Sequence, residues 1–199
     1  MFRKWTGIVS LLMIFSPAAA NAEWLFTPSF GTTFGGDTFG AHTFVYGAAI
    51  GAMDEDAFGW EADLSFAPQF FEGATQQFAF DGDGSVASAM INVLIGLPVA
   101  GQHRTAFRPY VTGGVGLMQM RVQSQEALFE SNTHEKGWNL GVGVMSFLGE
   151  HAGLRADFRY VRSFQNQVPS WTEGLDGDIA PGNFDFWRGT VGVTFRLGN

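Results

Sequence analysis

Two short runs of ionisable residues carry most of the chemistry this chain could perform: Glu61-Ala-Asp63 and Arg155-Ala-Asp157-Phe-Arg159. Arg188 and Arg196 join them near the C-terminus. In each run the charges are two residues apart. Successive side chains of an extended chain point to opposite faces, so each run presents its charges on one face. Buried charges persist only when paired and hydrogen-bonded. Carboxylates and guanidiniums facing a shared interior would therefore form either a salt-bridged plug or the lining of a narrow polar pathway. Asp157 is expected to pair with an arginine on its own strand or the adjacent one.

Other chemistries are poorly supplied. The four histidines, His42, His103, His134 and His151, show no His-x-Ser pairing with an acid on a neighbouring segment. A Ser-His-acid triad is defined by such geometry, and no catalytic residue is assigned. With no cysteine, neither a disulfide framework nor a thiolate metal site is available. Asp81-Gly-Asp83-Gly and Asp176-Gly-Asp178 offer the oxygen ligands that hard cations take, without the full spacing of an EF-hand loop. They read as solvated loops with glycine turns, with a layer bridged by divalent cations as the functional alternative. No metal and no cofactor is assigned.

The elements that must position these groups begin after an export signal. Arg3 and Lys4 precede the apolar stretch Ile8 to Phe15, and Ala20-Asn21-Ala22 gives an A-x-A cleavage site. Residues 1–22 are expected to be a signal peptide, and 23–199 the single mature domain. Of the 11 basic residues two precede position 23, as does none of the 19 acids, so the mature chain has 9 bases against 19 acids, a net charge of −10. That excess argues against a nucleic-acid partner. Beyond the signal no apolar run is long enough for a spanning helix. Yet the sequence holds 21 Phe and 6 Trp, which need an apolar environment.

The closing stretch, Phe184 to Leu197, shows where they go. Trp187, Val191, Val193, Phe195 and Leu197 share one parity, and Arg188, Thr190, Gly192, Thr194 and Arg196 the other. The same alternation recurs at about 24–34, 40–52, 58–66, 87–97, 109–122, 138–145 and 154–164. Eight segments of this length match tilted membrane-crossing strands. A soluble lipocalin-like barrel or sandwich would turn the apolar parity inward. Against it, the other parity is mostly Gly, Ala, Ser, Thr and Asn, which suits a narrow eight-stranded interior. Rings also gather near strand ends (Trp24, Tyr110, Trp138, Tyr160, Trp187, Phe195), as interfacial girdles require. The expected fold is all-β: an eight-stranded antiparallel up-and-down transmembrane β-barrel. The connections after the third, fifth and seventh segments are the longer ones and are expected outside, the Pro98 to Arg108 link being a long exception on the other side. The predicted outer side then holds 11 acids, Glu130, Glu135 and Asp185 among them, with Lys136 as its one base.

Arg108-Pro-Tyr-Val-Thr-Gly-Gly-Val-Gly116, Gly153-Leu-Arg-Ala-Asp-Phe-Arg-Tyr160 and Val191-Gly-Val-Thr-Phe195 resemble the small eight-stranded outer-membrane barrels, the OmpA/OmpX/OmpW-like proteins of Gram-negative bacteria. The likeness spans the mature chain. It implies an outer-membrane location and lipid as a partner. It also implies a final strand read by the barrel-assembly machinery, although this chain runs past Phe195 to Asn199. Arg121 and Arg162 have outward parity at external strand ends and could pair with lipopolysaccharide phosphates through charge-assisted hydrogen bonds. The expected function is a non-enzymatic barrel with a structural or surface-interaction role in the envelope. The alternative is a small porin-like channel for minor or hydrophobic solutes, with Phe70-Phe71 and Phe78-Ala79-Phe80 as an apolar way in. A lipid A-modifying barrel enzyme ranks third. The sequence sets no oligomeric state.

Overall fold

A strand whose apolar parity faces hydrocarbon finds no water for its backbone groups and must pair on both sides. A closed barrel does this without an edge. The computed structural model describes residues 22–38, 42–54, 58–70, 82–96, 107–124, 130–164 and 184–197, and in it the chain forms one such barrel. The strands are β1 (Glu23–Phe34), β2 (Thr43–Met53), β3 (Phe58–Ala67), β4 (Gly82–Gly96), β5 (Phe107–Ser124), β6 (Glu130–Phe147), β7 (Ala152–Ser163) and β8 (Asp185–Leu197). Each pairs antiparallel with the next, and β1 closes on β8 through Trp24 opposite Leu197 and Phe34 opposite Trp187. The expected all-β, eight-stranded up-and-down barrel is the observed fold. β1 begins and β8 ends at one rim, here the terminal rim. The opposite rim is the distal one.

The apolar parity faces outward on every strand. Phe30, Phe44, Leu64, Ile91, Val115, Leu140, Leu154 and Val191 are all exposed, which for a barrel in lipid is the favourable placement. Near the terminal rim the Trp24 and Trp60 rings meet edge-on at 5.7 Å. Ala52 lies between them, opposite both in register. It is buried although it points outward, because the two indoles cover it. A larger residue there would push them apart.

The interior departs from the expectation of a lumen of small and charged groups. It is layered. Leu25, Met53, Leu94, Tyr110, Met145 and Phe147 form an apolar cluster toward the terminal rim. Val45, Ala67, Phe70, Val86, Met90, Met118, Val161 and Phe186 form a second toward the distal rim, with Met120 and Phe184 packed on it. Each large side chain shielded from water in these clusters stabilises the fold by about 1.5–3 kcal/mol. Two expectations are corrected here. Tyr110 is not a girdle ring: on β5 it has inward parity and is 1% exposed. Met53, one residue past the expected end of the second segment, is the buried end of β2. Gly143 makes room for Tyr110, since a Cβ there would collide with the phenol ring and hydroxyl.

β6 also begins earlier than expected. Glu130, His134, Glu135 and Lys136, read as an external loop, belong to an 18-residue strand paired with an 18-residue β5. Arg108, read as part of a link, lies on β5.

Candidate functional site

Between the two apolar layers lies a belt of charge. β3 brings Glu61 and Asp63, β7 brings Arg155, Asp157 and Arg159, and β8 brings Arg188, all on inward parity. Glu61 is the hub. Its Oε1 accepts from Arg159 Nη2 at 2.7 Å and from Asn92 Nδ2 at 3.2 Å, while Oε2 is 2.8 Å from Arg155 Nη1, an ion pair without hydrogen-bond alignment. Asp157 is clasped by both arginines of its own strand, accepting from Arg155 Nε at 2.6 Å and from Arg159 Nη2 at 2.8 Å. Arg188 Nη2 donates to Asp63 Oδ1 at 2.8 Å. Arg155 Nε also donates to the Tyr110 hydroxyl at 2.7 Å. Asn139 Nδ2 donates to Asn92 Oδ1 at 2.7 Å, extending the belt to β4 and β6.

The belt holds three arginines and three carboxylates, with side chains no more than 8% exposed. Formal charge therefore cancels within it. Asp157 pairs with arginines of its own strand, as its parity leads one to expect, and to this the structure adds contacts across the lumen from β7 and β8 to Glu61 and Asp63 on β3. Among the belt and its neighbours, Thr112 Oγ1, Asn139 Oδ1, Arg159 Nη1 and Arg188 Nε have no hydrogen-bond partner. A cavity of about 10 Å³ between Glu61, Arg155 and the terminal-side apolar layer (Leu25, Met53, Leu94, Met145) has room for about one water.

Arg196, the seventh interior charge expected from sequence, is placed apart from the belt. It sits at the terminal rim with Nε 3.2 Å from Glu23 Oε2 and its guanidinium 3.8 Å above the Phe147 ring. Arg108 Nη1 is 3.9 Å from the same Glu23 oxygen. Sequence reading missed Glu23, Arg108, Asn92 and Asn139. Following the inward parity one residue beyond the first and fifth segments finds Glu23 and Arg108, while Asn92 and Asn139 lie on the inward parity inside their segments and needed only to be read as partners of the charges.

On the outer surface, Arg121 is exposed on β5 and Arg162 half-buried on β7, opposite Trp138. His42 is exposed with its ring 6.3 Å from Phe34, and His151 is exposed in the turn after β6. His134 lies on β6, and His103 falls outside the described residues. Among the described residues, none of His42, His134 and His151 is set against a serine and a carboxylate as a triad requires. Phe70 belongs to the apolar cluster toward the distal rim, 5.5 Å from Phe184 and 5.1 Å from Phe186. Phe71, Phe78 and Phe80 fall outside the described residues, as do Glu72, Asp81, Glu126, Glu173, Asp176 and Asp178. Among the described residues no group of His, Asp and Glu is arranged to hold a metal.

At the distal rim, Asp37 lies in a 3-10 turn, Gly36–Thr38, and its Oδ2 accepts the Asp185 backbone N–H at 2.9 Å. Partial burial raises its pKa from 3.8, the Asp185 carboxylate adds to the rise, and the backbone hydrogen bond offsets part of it. A raised folded-state value means that this group's stabilisation is full below the unfolded value and is lost as pH rises through the folded one. Asp37→Asn should flatten that part of the pH–stability profile. Identical profiles for the two proteins between about pH 3 and pH 6, a window set around the carboxylate range, would refute this.

A family model described as the outer membrane protein beta-barrel domain matches residues 6–196. Among solved structures, Neisserial surface protein A aligns with a TM-score of 0.61 at 13% identity, covering 88% of this chain and 97% of that one. The outer membrane protein OprG from Pseudomonas aeruginosa aligns at 0.56 and 13%, covering 90% and 98%. Ail, the attachment invasion locus protein of Yersinia pestis, aligns at 0.54 and 11%, covering 89% and 99%. No curated protein matches this sequence.

Proposed function

Since this chain belongs to the outer membrane protein beta-barrel domain family, we propose that it works as a closed, non-enzymatic barrel with a structural or surface-interacting role in the Gram-negative envelope. The observation that carries this reading is the filled interior. A charge-neutral belt of six ionised side chains is sealed on both sides by apolar clusters. An ion crossing it would have to displace buried salt bridges and then pass a dry layer, which costs several kcal/mol per charge. A lumen so occupied leaves the outer surface and the distal end for function.

Shorter connections mark the periplasmic rim of such barrels and longer ones the external rim. The short 54–57 and 148–151 turns lie at the terminal rim with the longer 97–106 link, and the long 68–81 and 164–184 connections at the distal rim, where the early start of β6 shortens the expected long fifth connection to 125–129. The distal end is accordingly read as external. Relatives of the same fold named as surface and attachment proteins are in keeping with an outward-facing role. Residues 1–22 serve as the export signal in this reading, and 23–199 as the mature domain, delivered by the barrel-assembly machinery. N-terminal sequencing of the membrane-inserted protein should begin at Glu23. Reconstituted in liposomes, the mature barrel should leave small sugars and ions trapped at the rate of protein-free vesicles. Rapid swelling in an isotonic sugar solution would replace this reading with that of a small porin-like channel.

A further inference from the structure

The outward-facing cations of the barrel are not spread around it. Among the described residues, the lysines and arginines that point away from the lumen are Arg121, Lys136 and Arg162. All three lie on β5, β6 and β7 at the distal end. β1 to β4 carry none on their outward faces. On a mature chain of net charge −10, this is a local reversal of sign.

Register fixes the pattern. Arg162 is opposite Trp138, so Lys136 is its diagonal neighbour on β6, at roughly 7–8 Å. Arg121 is opposite Asn132, four residues up β6 from Lys136, or roughly 13 Å along the strand. Directly beneath runs a shelf of rings: Trp138 touches Tyr160 at 5.7 Å, and Tyr160 touches Trp187 at 5.0 Å. Asp185 is the acid facing Arg162 across the β7–β8 pair, and both reach the Tyr160 hydroxyl. A cationic pair and a third cation, set apart along the strand direction above an aromatic shelf, match a headgroup with two phosphates on a sugar backbone. Phosphates take the cations through charge-assisted hydrogen bonds. Sugar faces take the indole, and acyl chains continue down the apolar wall. The shelf stands where interfacial aromatic residues stand in such barrels.

We propose that this patch is a single, one-sided site for a bisphosphorylated glycolipid of the outer leaflet. It rests on the reading of the distal end as external and extends the rim contact of Arg121 and Arg162 to Lys136 and Trp138. The mature barrel, refolded into zwitterionic nanodiscs, would be titrated with bisphosphorylated lipid A, with its dephosphorylated form and with phosphatidylglycerol, bound lipids being counted by native mass spectrometry. The expected result is at least a tenfold preference for the bisphosphorylated form. The triple variant R121Q/K136Q/R162Q should lose it, and K136R alone should keep it. A heat-shifted gel band confirms that each variant is folded, and if the triple variant fails that control, K136E alone supplies the same test. Equal binding of the dephosphorylated lipid or of phosphatidylglycerol, or an undiminished preference in the folded charge variants, would overturn the site. A sealed barrel with no lipid preference would remove this inference alone. A leaky barrel that keeps the preference would remove the closed-barrel reading alone.

Discussion

Glu61→Ala should lower the stability of the folded barrel by about 3–5 kcal/mol, the cost of stripping a buried charge cluster of one partner. Glu61 holds Arg159 by a 2.7 Å hydrogen bond and Arg155 by a 2.8 Å ion pair, and accepts from Asn92. All three partners are buried. Removing the carboxylate leaves three arginines against two carboxylates in a space sealed from solvent, so the excess charge cannot be hydrated without opening the barrel. Glu61→Gln should cost less, because the amide oxygen still accepts from one guanidinium and fills the same volume. The check is urea unfolding in lipid vesicles, followed by tryptophan fluorescence. If Glu61→Ala unfolds at the wild-type midpoint, the belt is not a coupled unit and the interior argument fails.

The second large effect lies on the other half of the belt. Arg188→Ala leaves Asp63 buried without its 2.8 Å partner, and Asp63→Ala leaves Arg188 likewise, each at about 3–5 kcal/mol. Removing both should cost clearly less than the two single losses together, with a coupling on the order of 2 kcal/mol. The cycle will not cancel completely, because Arg159 and Arg155 also act on Asp63. Additive losses would show that the two side chains share a location without sharing energy.

What could be read from the sequence follows the physics of the strand. Period-two alternation is local, so β3 and β8 were legible almost to the residue, and with them the inward parity of Glu61, Asp63, Arg155, Asp157, Arg159 and Arg188. Across-lumen geometry is not local. Which strand faces which in a closed barrel depends on strand tilt and stagger. The pairing of β3 with β7 and β8 through Glu61 and Asp63 was therefore invisible, while the Arg155–Asp157–Arg159 clasp could be anticipated. The apolar layers were missed for a different reason. Leu25, Met90, Leu94 and Met118 interrupt an otherwise small or polar parity, and single interruptions look like noise until the register stacks them. Tyr110 was misassigned because β5 is glycine-rich there, with Gly113, Gly114 and Gly116 blurring the alternation. β6 was started late because Glu130 to Lys136 is polar throughout, the composition of a loop. In the structure it is a strand extending past the apolar wall, and this extension raises Lys136 to the level of the rim arginines.

A lumen filled by its own side chains should carry no ionic current. Unitary conductance of the refolded mature barrel in planar bilayers, with a heat-shifted gel band as the folding control, tests it most directly. A folded protein that inserts and stays electrically silent is the predicted result. Steady, reproducible single-channel currents from the same folded material would contradict it and make the charged belt the lining of a pathway.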